Sequence, residues 1–264
     1  MPSIALTIAG SDPSGGAGIQ ADLKTFHQFG VYGEAAITLI TVQNTVGVRR
    51  VECLAAELVA AQIEALLEDL PPAAAKTGAL GNRAIVEAVA EIAGRLAFPL
   101  VVDPVMISKH GAPLIAGEAR EALVRRLLPK ARLITPNLPE AEALTGFSIQ
   151  NPAGMRRAAL RLREMGAAAV LIKGGHLSGD ALDVLLDGEE WLEYSAARIQ
   201  TRHTHGTGCT YSAAITAGLA LGLPLAEAVR RAKAYITEAI RTNPGLGAGS
   251  GPVNHHAKIR GWAS

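Results

Sequence analysis

The 264-residue chain carries 25 Lys and Arg against 24 Asp and Glu, a formal net charge of +1. That balance removes the electrostatic drive for binding nucleic acid or an anionic membrane, and it leaves small molecules or other subunits as expected partners. The length suffices for one large α/β domain with a real core, and no repeat or low-complexity linker divides residues 1–264.

The chain starts with "MPSIALTIAGSD", whose short apolar run lacks a basic flank and meets Asp12 too soon for a signal peptide. Cys53 and Cys209 lie too far apart for a CxxC motif, so a reducing, cytoplasmic setting without a disulfide framework is expected.

Apolar runs at 4–10, 35–42, 100–106, 132–137 and 168–175 have strand length and suit strands buried on both faces. Amphipathic stretches at 55–70, 82–97, 117–128, 139–145 and 152–165 separate or flank them. This alternation predicts an α/β fold with a mostly parallel sheet and helices on both faces. "ALDVLLDGEEWLEYSA", 181–196, reads instead as a hairpin turning at Asp187 and Gly188. From Gly208 the pattern is helical to about Arg241; Gly218, Gly222 and Pro224 make the apolar stretch 212–229 a buried helix pair rather than a membrane span. The tail "NPGLGAGSGPVNHH" reads as a loop that packs over something.

Open parallel sheets bind ligands beyond the carboxyl ends of their strands, so the segments that follow strands carry the chemistry. "GSDPSGGAGIQADLKTF", 10–26, fails the Walker A pattern, because Gly16 and Ala17 stand where Lys and a hydroxyl are required. Gly16, Gly18 and Ala21 match GxGxxG/A only formally, and the second strand ends in Val42 and Gln43 rather than in an acid for a ribose. Two readings remain: a turn needed for tight packing, or main chain closing around a small flat ligand with Asp22 as a polar contact. Gln43 either satisfies loop backbone or reads an aminopyrimidine edge with its planar amide.

In "TPNLPEAEALTG", Asn137 and Glu140 are three residues apart at a helix start. They are an N-cap with a first-turn acid, or they place Glu140 to hold Mg²⁺ against nucleotide phosphates, directly or through water. Asp103 in "VVDPVM" is a second carboxylate able to share that task. Lys173 in "LIKGGH" either snorkels or meets an anion, for which phosphate is the natural choice. In "HGTGCT", Gly206 and Gly208 can aim N–H groups at one point, and the following helix adds its positive end, which makes an anion hole. Cys209 at that helix start is either a small buried hydrophobe or a thiol with its pKa lowered from about 8.5; Cys53 reads as the buried kind.

Together, "ALTIAGSDPSGGAGIQADLKTF", "QNT", "KTGAL", "VVDPVM", "TPNLPEAE", "KGGH", "THGTGCT" and "GPVNH" resemble the hydroxymethylpyrimidine and phosphomethylpyrimidine kinases of thiamin synthesis, within the ribokinase-like superfamily. The resemblance implies a three-layer α/β/α domain and ATP-dependent phosphorylation of 4-amino-5-hydroxymethyl-2-methylpyrimidine, then of its monophosphate. It assigns Ala17, Asp22, Gln43, Ala79 and Val105 to the pyrimidine, and Asn137, Glu140, Lys173 and Thr207 to the nucleotide. The amides around Gly206, Thr207 and Gly208 take the transferring phosphoryl group, and Cys209 stands where many relatives keep an Asp base. Lys173 acts on the same group, and a homodimer is the expected assembly.

Departures from the family pattern are Ala79 in place of a bulky Met, Arg202 and His203 in place of Lys and Asn, and Ala248 and Ser250 in place of histidines. The competing readings are a pyridoxal kinase on the same scaffold and a non-catalytic pyrimidine sensor; Lys173, Glu140 and the intact GTG turn argue against the sensor.

Overall fold

The computed structural model describes residues 2–258 apart from 107–110, 112, 113, 116, 176 and 178, so His176 of the "LIKGGH" motif lies outside the described residues. The strands are β1 (Ile4–Ser11), β2 (Tyr32–Gln43), β3 (Val48–Cys53), β4 (Ala74–Thr77), β5 (Leu100–Val102), β6 (Leu133–Ile134), β7 (Ala169–Lys173), β8 (Asp183–Asp187) and β9 (Glu190–Tyr194). They form one sheet in the order β3-β2-β1-β4-β5-β6-β7-β8-β9. The block from β2 to β7 is parallel, while β3 at one edge and β8–β9 at the other run antiparallel.

The helices are α1 (Gly18–Gln28), α2 (Ala56–Asp69), α3 (Arg83–Ala93), α4 (Gly117–Ala122), α5 (Leu138–Thr145), α6 (Pro152–Glu164), α7 (Thr207–Ala220) and α8 (Leu225–Arg241). Side chains alternate across each strand, so the sheet feeds a core on either face. Leu6, Ile8, Ala75, Val102 and Ile134 pack with α2 to α6, whereas Ala5, Ala74, Val101, Leu133 and Leu171 pack with α1, α7 and α8. Each fully buried Leu, Ile or Val on these faces contributes about 1.5–3 kcal/mol. The three-layer α/β/α arrangement expected from the sequence is present.

Several boundaries move for local reasons. β5 stops at Val102, before Asp103 and Pro104, and β6 is two residues long because Pro136 follows closely. The 117–128 stretch is α-helical only to Ala122, then passes through a π turn (Leu123–Leu127) and a 3₁₀ turn (Leu128–Lys130). The hairpin turns one residue later than expected: Asp187 is still in β8, its carboxylate held by Arg132 at 2.9 Å, and Gly188 takes the positive φ of 59°. β3 and β4 carry no clean strand pattern; β3 is a charged edge strand with Arg49, Arg50 and Glu52, and β4 is alanines interrupted by Lys76.

The tail does pack over something. Ser250 N–H donates to the Thr45 carbonyl at 2.8 Å, and His205 N–H donates to Gly251 at 3.0 Å, tying the tail to the end of β2 and to the turn before α7.

Glu34 on β2 is buried, and both carboxyl oxygens lack a hydrogen-bond partner among the described residues. Burial pushes its pKa up to about 7. A carboxyl raised in this way contributes full stability below its unfolded pKa of about 4.5, and that contribution is lost as pH rises through 7. Glu34→Gln therefore melts at least about 2 °C above the parent at pH 8, with the difference vanishing near pH 4, as read by calorimetry.

Candidate active site

The carboxyl ends of the parallel strands open into a cavity of about 710 Å³, within the range of small-molecule sites. Ala17 and Gly18 line it from the start of α1, Gln43 from the end of β2, Ala79 from the β4–α3 loop and Val105 from the segment after β5. Asn137, Glu140 and Lys173 form a second wall, and Gly206, Thr207, Gly208 and Cys209 bring the first turn of α7 to the space between. Apart from Asp22, every residue assigned from the sequence therefore reaches one cavity.

Two loops meet at its rim with almost no clearance. Gly206 has a φ of 77°, and a Cβ there would lie 1.8 Å from the Gly16 carbonyl oxygen, so only glycine fits. The Thr207 hydroxyl and N–H both donate to the Thr204 carbonyl, at 2.7 and 3.3 Å.

Asn137 and Glu140 satisfy both sequence readings. They form a capping box, with Glu140 N–H donating to Asn137 Oδ1 at 2.9 Å and Asn137 N–H donating to Glu140 Oε2 at 2.8 Å, and both line the cavity. Burial pushes the Glu140 carboxyl up to about 7, against the attraction of Lys173 and with the repulsion of Asp103.

Lys173 meets an anion, but it is the chain's own. Its Nζ donates to Asp103 Oδ1 at 3.0 Å. Thr135 donates to the same oxygen at 3.1 Å and Ser212 to Oδ2 at 3.2 Å. Burial alone would raise Asp103, but Lys173 and Lys76 outweigh it and hold the carboxylate ionised. Asp103 thus lines the cavity with its oxygens on Lys173 and two hydroxyls, as Glu140 lines it with hydrogen bonds from the Asn137 and Met106 amides. Both carboxylates supply the hard oxygen chemistry that suits Mg²⁺, an ion that retains waters and binds through one or two carboxylates plus phosphates. No cluster of three His, Cys, Asp or Glu side chains gathers for a metal among the described residues.

The expectation for Asp22 is corrected. It sits on α1 behind the cavity wall, fully buried, with Thr7 donating to Oδ2 at 2.6 Å and Lys76 at 2.8 Å. Alternation along β4 turns Lys76 to the face of Ala74, beneath α1 and α7. Both partners of the pair have no exposed side-chain surface.

Cys209 is not an acidic thiol. Burial pushes it up to about 12; Asp22 and Asp103 add to the rise, while Lys76 and the Gly18 amide only partly oppose it. Burial, with the carboxylates of Asp22 and Asp103 behind it, prevails over the positive end of α7 and keeps the thiol neutral. Cys53 is half-buried and likewise raised by burial.

Sequence reasoning gave no role to Asp12, His205 or Lys76. Asp12 is 2% exposed and accepts from the amides of Ser14 (2.8 Å), Gly16 (3.2 Å) and Ala17 (2.9 Å) and from His205 Nε2 (2.8 Å). The available signals were an acid between a strand end and a Pro–Ser–Gly turn, and a lysine inside an alanine run. At the far end of the cavity Lys233 pairs with Asp183 at 2.7 Å.

The phosphomethylpyrimidine kinase family model matches residues 12–254. A hydroxymethylpyrimidine/phosphomethylpyrimidine kinase of Rhizobium meliloti is 51% identical over 259 residues, covering 97% of each chain. Among solved structures, a Clostridium difficile phosphomethylpyrimidine kinase is 48% identical with a TM-score of 0.81, covering 90% of this chain and 99% of that one. A Bacillus subtilis pyridoxal kinase in an ADP complex is 40% identical with a TM-score of 0.91, covering 97% of this chain and 98% of that one.

The buried pair beneath the site sets a stability test. Lys76→Met leaves the Asp22 charge unpaired and costs about 3–5 kcal/mol in urea unfolding, whereas Lys76→Met combined with Asp22→Asn recovers most of that loss. A single variant within about 1 kcal/mol of the parent would contradict the pairing.

Proposed function

The chain belongs to the phosphomethylpyrimidine kinase family, and from that premise we propose how its own residues carry out the two phosphoryl transfers. It is a hydroxymethylpyrimidine/phosphomethylpyrimidine kinase of thiamin biosynthesis, using ATP to make the monophosphate of 4-amino-5-hydroxymethyl-2-methylpyrimidine and then the diphosphate. What supports the residue roles is that the amide of Gln43, the Lys173–Asp103 pair and the glycine turn of α7 share one cavity.

In this reading the pyrimidine lies against Ala17, Ala79 and Val105, with its amino edge on Gln43. Asn137, Glu140, Lys173 and the Thr207 main chain hold the nucleotide phosphates. The amides of Gly206 and Gly208 receive the transferring group as fixed N–H donors that offset developing charge, and the Thr207 N–H joins them by leaving its 3.3 Å bond to the Thr204 carbonyl. Glu140, with Asp103 able to share the task, would hold Mg²⁺ directly or through water, and the ion would supply charge neutralisation at the phosphates. Lys173 stays protonated: burial lowers its pKa, but Asp103 and Glu140 raise it further.

Cys209 lies against the hydroxymethyl group as a thiol. As the substrate oxygen bonds to the γ-phosphorus and the bond to ADP breaks, the hydroxyl proton passes to sulfur, and the thiol's own proton passes to an oxygen of the transferred group. Phosphoryl transfer through a loose transition state asks little more of a base. In the second transfer the attacking phosphate is already ionised and needs no relay.

The assembly we propose is a homodimer in a reducing compartment, with two free thiols and residues 1–264 forming one kinase domain. No described helix is long and apolar enough to cross a membrane. Pyridoxal is the second acceptor to consider, because pyridoxal kinases share the fold at a TM-score of 0.91, although at 40% identity against 51% for the Rhizobium meliloti enzyme.

Cys209→Ala lowers kcat for the alcohol by about 10²-fold and for the monophosphate by less than about tenfold, measured by separate steady-state assays of each step. Equal losses would assign Cys209 a packing role instead. Lys173→Ala slows both steps by about 10²-fold or more.

A further inference from the structure

His205 comes immediately before the glycine turn of α7 and is held from two sides. Its N–H donates to the Gly251 carbonyl at 3.0 Å and its carbonyl accepts from Val253 N–H at 3.3 Å, so the tail grips its main chain. Its ring, 4% exposed, reaches the other way and meets Asp12 Oδ2 at 2.8 Å. Asp12 is anchored in the loop after β1: Oδ1 accepts from the Ser14 amide and hydroxyl at 2.8 and 2.7 Å, and Oδ2 from the amides of Gly16 at 3.2 Å and Ala17 at 2.9 Å. Burial would raise this acid, yet its hydrogen bonds, that of His205 foremost, outweigh burial and keep it ionised. An ionised carboxylate only accepts, so His205 donates an Nε2–H.

The helix that follows depends on such an anchor. The Asn82, Asn137 and Asn151 side chains cap α3, α5 and α6, whereas α7 begins at Gly206 with no side-chain cap. A capping side chain would occupy first-turn amides that the transferring group needs. Gly206 has no side chain with which to hold itself, and its neighbour therefore sets its place. A Cβ on Gly16 would lie 2.5 Å from the His205 ring, so loop and ring are in direct contact. One carboxylate oxygen thus accepts from Ala17, on the acceptor's side of the cavity, and from His205, one residue from the turn. Phosphoryl transfer depends steeply on the distance between those two sides.

We propose that Asp12 and His205 are a positioning pair for phosphoryl transfer: the bond between them sets the Gly206–Gly208 amides at reacting distance from an acceptor seated on the Ala17 loop. This rests on the glycine turn receiving the transferring group. In this role neither side chain touches a reacting atom.

The decisive variant is His205→Phe, which keeps a ring against Gly16 and leaves Asp12 its Ser14, Gly16 and Ala17 donors. Because both transfers use one turn, kcat falls about 30-fold for the pyrimidine alcohol and for its monophosphate alike, while KM for each changes less than about twofold. Calorimetry of the full chain with Mg²⁺ and the alcohol separates this from general damage. The parent binds ADP with aluminium fluoride, a mimic of the group in flight, at least about tenfold more tightly than ADP alone. His205→Phe loses most of that ratio and keeps its affinity for ADP. His205→Gln, whose amide N–H can reach the same carboxylate, recovers most of the lost kcat. Asp12→Asn shows the same joint fall, and its combination with His205→Phe stays within about threefold of the slower single variant. The prediction therefore stands even where His205→Phe does not fold.

An unchanged kcat, a fall confined to the alcohol, or ADP and the fluoride complex weakened in parallel overturns the proposal. So does a His205→Gln enzyme as slow as His205→Phe. A parent that binds the fluoride complex no more tightly than ADP overturns the reading of the turn as receiver, and the proposal with it. A tight parent whose variants stay equally tight overturns the positioning pair alone.

Discussion

The close approach of two glycine loops decides where everything else in the site stands. The loop after β1 and the turn before α7 are remote in sequence, yet Gly206 leaves no room for a side chain against the Gly16 carbonyl. Asp12 fills the space beside that contact with a charge that accepts from both sides. Because α7 begins at this junction, its N-terminus is aimed at the centre of the cavity, and Cys209 arrives there with it. The tail reinforces the arrangement from outside, bonding His205 and the end of β2. Loops at the carboxyl ends of separate strands are thereby tied into a single rim.

Beneath the rim lie two buried ion pairs that divide the labour of charge. Lys173–Asp103 borders the cavity and is 12% and 2% exposed, so the lysine sits where a phosphate can reach it without first being unpaired in an apolar interior. Lys76–Asp22 lies wholly behind the wall. The carboxylates of both pairs raise the Cys209 thiol, and burial raises it more. The site therefore holds a neutral group at the first turn of α7, and in the function proposed above that group faces the substrate alcohol while Lys173 serves the phosphates. That division suits phosphoryl transfer, in which orientation and charge neutralisation do more than strong base chemistry.

The sequence disclosed the frame where one physical signal dominated. Continuous apolar runs marked β1 and β7, because strands buried on both faces leave no polar side, and β2 was marked by a similar run although Ile40 and Val42 on it are exposed. β3 stayed hidden because its exposed edge is charged, and β4 because Lys76 breaks its apolar run. In the site, glycines and strand-end polar residues located lining residues such as Gln43, Asn137, Lys173 and Gly206, since backbone geometry and position after a strand are local properties. Asp22 was misplaced: spacing puts it near the start of α1, but only the packing of α1 on β4 shows that it turns toward Lys76. At Cys209 the choice between a buried and an acidic thiol stayed open for the same reason. A helix N-terminus is visible in the sequence, whereas the burial that prevails over it is not, and the carboxylates that add to that burial come from α1 and from the segment after β5. Long-range electrostatics is the part that local pattern does not carry.

The central claim is that one cavity carries out two successive transfers on an aminopyrimidine. It is tested most directly by incubating the protein with ATP and Mg²⁺ and, separately, the pyrimidine alcohol, its monophosphate and pyridoxal, and following each product by chromatography. The account predicts that the alcohol becomes monophosphate and then diphosphate, that added monophosphate is converted alone, and that pyridoxal turns over with the lowest kcat/KM of the three. A higher kcat/KM for pyridoxal than for the pyrimidine alcohol, or a reaction that stops at the monophosphate, would contradict it.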